Sequence, residues 1–227
     1  MSFDRHQRAL LLPGDARADY FQRTLSGRRL RNLRRRHTRL QELGAVTLEA
    51  ATGTDALARG LDSFFTLEAI GWKGRAGSAA SQDANVRRFI ERAVTALSSE
   101  NKVLIHSLRI NEKTIAVTIA LKSGDTAWGW KVAYDEAYAG YSPGVLAVMG
   151  LTETILADQA ITQADSCATA TDTMAVQLWN ERLTMVDCLF NTAADAEFSF
   201  ALASRLEVLR RAALTAAKSA REHLRHR

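Results

Sequence analysis

The chain has 227 residues, enough for one large domain or two small ones, and 47% are hydrophobic, which excludes a largely disordered or fibrous protein. Two cysteines are too few for a disulfide framework, and no apolar run approaches the roughly 20 residues of a membrane span. The net charge of +5 hides a segregation: residues 1–44 hold 11 arginines against four acids, residues 205–227 hold seven basic residues against two acids, and the body between them is acidic. Such basic ends suit nucleic acid, acidic lipid or an acidic partner, or are solvated helix faces that neutralise the body. Cys167 and Cys188 are expected as buried free thiols in a reducing cytoplasm. The run 9–12 is too short for a signal-peptide core.

Residues 1–20 are weakly patterned. Residues 27–44 read as a helix, with Leu30, Leu33, His37 and Leu40 on one stripe, Gly44 as its C-cap and arginines over the rest. Residues 45–50 alternate as a strand, so the arginine helix has no helix-turn-helix partner and nucleic acid is not the expected ligand. A helix over 54–69 puts Leu57, Leu61, Phe64 and Phe65 inward. The glycine-rich loop 71–81 carries Trp72, Lys73 and Arg75, either a core plug with two cations or the mouth of a site. Residues 83–97 form an amphipathic helix, with Val86, Phe89, Ile90, Val94 and Leu97 on its inner face. Residues 102–133 read as three antiparallel strands joined by short polar turns, and His106 is read as a core histidine. Then follow a helix over 143–157, a strand over 161–167, a helix over 173–182, a strand over 183–190 and a helix from 195 to about 225.

The stretch 128–157 organises the chain. Trp128, Trp130 and Val132 alternate as a strand. A loop with Asp135, Glu136, Tyr138 and Tyr141 leads to Ser142 and Pro143, a good N-cap and a good first helical residue. A strand that runs through a loop into a helix start offers backbone N–H groups and a positive dipole end to an anion, and Gly144 lets a phosphate come close. A capped helix after a strand is the plainer alternative.

Residues 131–144, KVAYDEAYAGYSPG, resemble the YD…Y…SPG stretch of FemAB-like acyltransferases of the GNAT superfamily, among them acetyltransferases associated with bacterial exopolysaccharide and cellulose biosynthesis. Trp72-Lys73-Gly74 is similar to a WKG loop of that group, residues 165–168 to its DSCA strand end, and residues 178–182 to its LWxER helix, all in the same order. The resemblance covers roughly residues 8–205 and implies an α/β (α+β) domain, a mixed sheet with an antiparallel meander flanked by helices. It implies a GNAT-like domain at 45–205 between a basic helical segment at 1–44 and a basic tail at 206–227. Relatives carry a further upstream GNAT-like half, so a homodimer or a partner chain is expected to supply it.

The resemblance also implies the chemistry. An acyl-CoA, acetyl-CoA among the options, would slot between the splayed strands at 127–133 and 161–167, against Trp130 and Val132, with its phosphates on Tyr141, Ser142, Pro143, Gly144 and Val145. Trp72, Lys73, Tyr134 and Tyr138 would face the acceptor, a small molecule or a glycan, and no metal is expected. An amine or hydroxyl attacking a thioester needs a general base. Asp165, the aspartate of the DSCA segment, is the first candidate, followed by Asp135 and Asp172, with Glu136 in the same loop. Capping of a turn is the alternative role of Asp165. Where relatives carry a histidine-proline-methionine triplet this chain has Asp172, Thr173 and Met174, and the glycine-rich phosphate loop of ordinary GNAT proteins is missing. An aminoacyl-tRNA donor, or a non-catalytic interaction domain, are the other expectations.

Overall fold

The computed structural model describes residues 2–15, 17–169, 174–192 and 197–225. Seven strands form one mixed sheet in the order β2-β3-β4-β5-β6-β1-β7. The expected meander is its centre: β3 (Val103–Ile110), β4 (Lys113–Ser123) and β5 (Thr126–Tyr134) pair antiparallel in sequence order. Their alternation buries one set of side chains on each face, which fixes the register. β2 (Val46–Ala50) adds to β3 through Thr47 opposite Arg109, and Asn111, at φ 51, closes the turn while its Oδ1 accepts the Ala45 N–H at 2.9 Å.

Residues 1–20, which carry little pattern, contain a strand: β1 (Ser2–Leu11) pairs antiparallel with β6 (Gln163–Thr169), Leu10 opposite Asp165. Only Ala9 and Leu11 of β1 are buried hydrophobics, so the strand leaves too short an alternation to read. A short helix, α1 (Tyr20–Thr24), precedes α2 (Gly27–Gln41), the arginine helix, which Ser26 caps through the Arg29 N–H and which buries Leu33 and Leu40. The helix expected over 173–182 is not formed: Met174–Gln177 is a single 3-10 turn, and Glu181 already begins β7 (Glu181–Cys188). Leu178 and Trp179, read as helical, are instead a fully buried plug, with the indole Nε1 donating to Thr152 Oγ1 at 3.0 Å.

Helices cover both faces. α3 (Thr54–Ile70) and α5 (Ala84–Ser98) pack on one through Leu61, Phe64, Phe65, Ile90 and Val94 against Ile105, Val117 and Ile119. α6 (Pro143–Ala157) covers the other, apolar nearly all round because the sheet lies under it and α2 beside it. Val86 and Phe89 of α5 are exposed rather than inward, Phe89 at 65%. Cys167 and Cys188 are free and exposed, not buried.

The chain divides into two compact units. Residues 7–183 form the larger, which includes the arginine helix. Residues 1–6 and 184–227 form the smaller, built on α7 (Glu197–Arg225). Within the smaller unit the Arg211 guanidinium pairs with Asp4 and with Asp187, the latter at 3.1 Å, and lies 4.8 Å from the Phe3 ring centroid. Among the described residues no helix is long and apolar enough to cross a membrane.

Candidate active site

The site begins where two parallel strands part. β5 and β6 pair through Thr126 with Gln163, Ala127 with Ala164 and Trp128 with Asp165, and the pairing stops there. Two irregularities force the parting. The register of β5 on β4 slips between Lys131, opposite Ile119, and Gly129, opposite Ala120, so Trp130 is an extra residue that bends the strand. In β6, Cys167 takes φ 54, and its N–H is held by Asp165 Oδ1 at 2.8 Å.

A cavity of about 380 Å³ fills the gap. Residues 129–132 form one wall, Ser166 and Ala168 the other, and Val148, Leu151, Ala175 and Trp179 the apolar back. Thr118 lies on its floor, and Trp72, Lys73 and Met174 at its rim. Its two charged lining residues are Lys73 and Lys131; no carboxylate lines it among the described residues. A wall of backbone edge, an apolar back and two cations suit a thin, amide-bearing chain that ends in a polarised carbonyl.

The rim is set by the tryptophan loop. Trp72–Arg75 is one helical turn, α4, not an open loop. Two carboxylates bind it. Glu136 accepts the Trp72 N–H at 2.7 Å and the Arg75 guanidinium at 2.6 Å, and these bonds hold its pKa below the usual range. Glu68, buried on α3, accepts Lys73 Nζ and the Ala80 N–H, each at 2.7 Å. Gly74 is required: a Cβ there would stand 1.7 Å from the Ala69 carbonyl oxygen. Lys73 Nζ is 5.9 Å from the Trp72 ring centroid, and Trp72 stays exposed.

The helix start differs from the expected cradle. Ser142 sits in the left-handed region, φ 54 and ψ 52, and its side chain does not cap α6. Its Oγ instead accepts Arg36 Nη1 of α2 at 2.5 Å, and Arg39 lies 5.5 Å from the Tyr141 ring centroid. Pro143 has no N–H, and the Val145 and Leu146 N–H groups both donate to the Ser142 carbonyl. Gly144 is buried, and a Cβ on it would stand 2.3 Å from Met174 Sδ and 3.4 Å from Tyr134. Met174 thus lies over Gly144 and also lines the cavity, which joins the helix start to the cavity rim.

Of the acids expected as bases, Asp165 and Asp135 do not line this cavity. Asp165 is buried; Arg8 Nη1 of β1 donates to its Oδ2 at 3.1 Å, and it does not line the cavity. Asp135 caps the 3-10 turn Glu136–Tyr141 through the Ala137 N–H and accepts Lys113 Nζ at 2.8 Å; these bonds, the lysine's foremost, lower its pKa. Lys113 also lies 5.0 Å from the Tyr138 ring centroid. Asp172 lies outside the described residues. The structure therefore brings Trp72, Lys73, Trp130, Val132 and Met174 together, and adds Thr118, Lys131 and Ser166. Glu68 was readable: it falls on the inner stripe of α3 with Leu57, Leu61 and Phe64, an acid where an apolar residue is expected. Among the described residues no three His, Cys, Asp or Glu side chains gather for a metal.

No curated protein matches the chain. Among solved structures, FemX superposes with a TM-score of 0.54 at 9% identity, over 78% of this chain and 59% of that one. A conserved protein of unknown function from Bacteroides thetaiotaomicron VPI-5482 gives 0.45 at 17% identity, over 73% and 51%. The C-terminal domain of a putative lysylphosphatidylglycerol synthetase from Agrobacterium fabrum gives 0.45 at 13%, over 73% and 47%. The chain thus spans about half to three-fifths of their length. The family profile described as acetyltransferase (GNAT) domain matches residues 27–172, more than half of the chain, and takes in β5, the parting point of the strands and the start of α6. On that match, over a sheet that parts in this way, the chain belongs to the GNAT acetyltransferase domain family.

Proposed function

We propose that the protein transfers an acyl group from an acyl-CoA to an amine or hydroxyl acceptor. The observation that carries this reading is the parting of β5 from β6 after Trp128 and Asp165, with a cavity in the gap and the α6 start at its rim. The free backbone of residues 129–132 would pair with the amides of the pantetheine arm. The acceptor nitrogen or oxygen attacks the thioester carbonyl carbon, the carbon–sulfur bond breaks, and the acceptor's proton ends on the departing thiolate. Lys131, which lines the cavity, would face the negative charge that grows on the carbonyl oxygen, and the lining hydroxyls of Thr118 and Ser166 would relay the proton. Asp165 serves the sheet through Arg8 in this reading. Acetyl is one of the acyl groups this reading allows, and a small molecule or a glycan is the acceptor it expects.

A second donor is favoured by one feature. α2 carries seven arginines and no acid, and it presents Arg36 and Arg39 to Ser142 and Tyr141 at the α6 start. A polyphosphate larger than CoA, such as an aminoacyl-tRNA, would use that face. Calorimetry with CoA, acetyl-CoA and unacylated tRNA separates the two. CoA and acetyl-CoA should bind, and Ala168→Trp, which plugs the cavity wall, should raise Kd at least about tenfold. Asp165→Asn should lower the melting temperature but leave binding and transfer near the parent values. Transfer lost in Asp165→Asn at parent stability would return the base role to that residue. Binding of tRNA alone, with steep salt dependence, would replace CoA as donor.

A further inference from the structure

The helix α7 of the smaller unit has its faces reversed. Phe200, Ser204, Glu207 and Arg211 follow at three- and four-residue spacing and are its shielded side, with Ser204 buried. Arg211 on that side holds Asp4 and Asp187. The opposite side carries Phe198, Leu202, Leu206 and Leu209, all exposed, Phe198 at 83% and Leu209 at 66%. Steps of four, four and three residues put these four side chains on one stripe of the helix.

The charges around the face have one sign. Arg205 and Arg210 flank it, one on each side, both exposed. The acid in this part of the helix, Glu207, lies on the shielded side, where Arg210 and Arg211 bind it. In sequence, residues 218–227 continue with Lys218, Arg221, Arg225 and Arg227 against Glu222.

We propose that α7 lays this face on an anionic lipid surface, an interfacial helix with leucines in the acyl boundary and arginines at the headgroups. The charges argue for lipid, because the exposed stripe is bordered on both sides by arginines, the arrangement an anionic headgroup layer accepts. Self-pairing would also set Arg205 and Arg210 against their own copies, whereas anionic headgroups accept both guanidinium groups while their stems stay in apolar surroundings. The proposal is independent of the acyl-transfer reading.

The test is co-sedimentation of the whole chain with phosphatidylcholine vesicles with and without phosphatidylglycerol. Binding is expected on the anionic vesicles, at least about tenfold weaker on the neutral ones and weakened by salt. Leu206→Glu with Leu209→Glu should reduce the anionic partition at least about tenfold. Arg205→Glu should lower it on anionic vesicles and leave the neutral ones unchanged. All are exposed positions, so each variant should melt like the parent, which keeps a loss of binding attributable to the face. Absence of binding, or equal binding to both vesicles, overturns the proposal. A concentration-dependent dimer that Leu206→Glu dissolves also overturns it and makes the face an interface between copies.

Discussion

His106 shows how a single side chain sets a cost that the fold carries. It lies in β3 between Ala50 and Thr118 of the neighbouring strands, is 4% exposed, and neither ring nitrogen has a hydrogen-bond partner. Burial lowers its pKa to about 4, so the folded chain keeps it neutral. The unfolded chain protonates it below about 6.5. Between those values the unfolded state binds the extra proton, so stability is full above the upper value and falls as pH drops toward the lower, by about 3 kcal/mol in all. His106→Leu removes both the orphaned nitrogens and this acid leg. It should raise the melting temperature, more at pH about 4 than at pH about 7.5. A parent and variant that lose stability in parallel over that range would show the ring to be paired in solution. The buried state of His106 was legible from its apolar strand neighbours. For Asp165 the turn-capping contact to the Cys167 N–H matches an alternative legible in the sequence, but its pairing with Arg8 was not legible, because a strand β1 with only Ala9 and Leu11 buried leaves too weak an alternation to announce itself.

At the scale of elements, legibility followed the strength of the local signal. α6 is found where Ser142, Pro143 and the apolar run place it, Pro143–Ala157, because proline fixes the first turn and the apolar run 145–151 follows it. The short Met174–Gln177 turn was misread because Leu178 and Trp179 share a helical spacing with neighbours they do not pack beside; their burial comes from the back of the cavity and from Thr152. The stripe expected to face inward on α5 buries Ile90 and Val94 but leaves Val86 and Phe89 exposed, because a pattern in one helix cannot say how much of it is covered. The start of α6 carries the sharpest consequence. Gly144→Ala would set a Cβ 2.3 Å from Met174 Sδ, so the methionine must move. We expect a cost of about 1 to 3 kcal/mol and weaker CoA binding from a displaced rim. Met174→Ala in the same chain should recover most of the stability, and the four melts form a double-mutant cycle that reads the contact directly. Additive losses would mean that Met174 does not lie on Gly144 in solution.

For the whole molecule, the distribution of the core decides what folds. Every buried hydrophobic side chain among the described residues lies between Ala9 and Trp179, and all but Ala79 fall in three clusters that contain both faces of the sheet. The smaller unit is held by ion pairs around Arg211 and by Phe3, and most of its large apolar side chains are exposed. Exposed ion pairs contribute about 0 to 1 kcal/mol each, little beside a core of this kind. The chain reduced to residues 7–183 keeps Arg8 for Asp165, the pairing of β1 on β6 and the whole cavity lining. It should therefore unfold in one cooperative transition within a few degrees of the full chain, as followed by circular dichroism against temperature. It should bind CoA as the full chain does and lose its hold on anionic vesicles, since α7 is gone. A broad, uncooperative melt would show that the smaller unit is part of the folding nucleus rather than an addition to it.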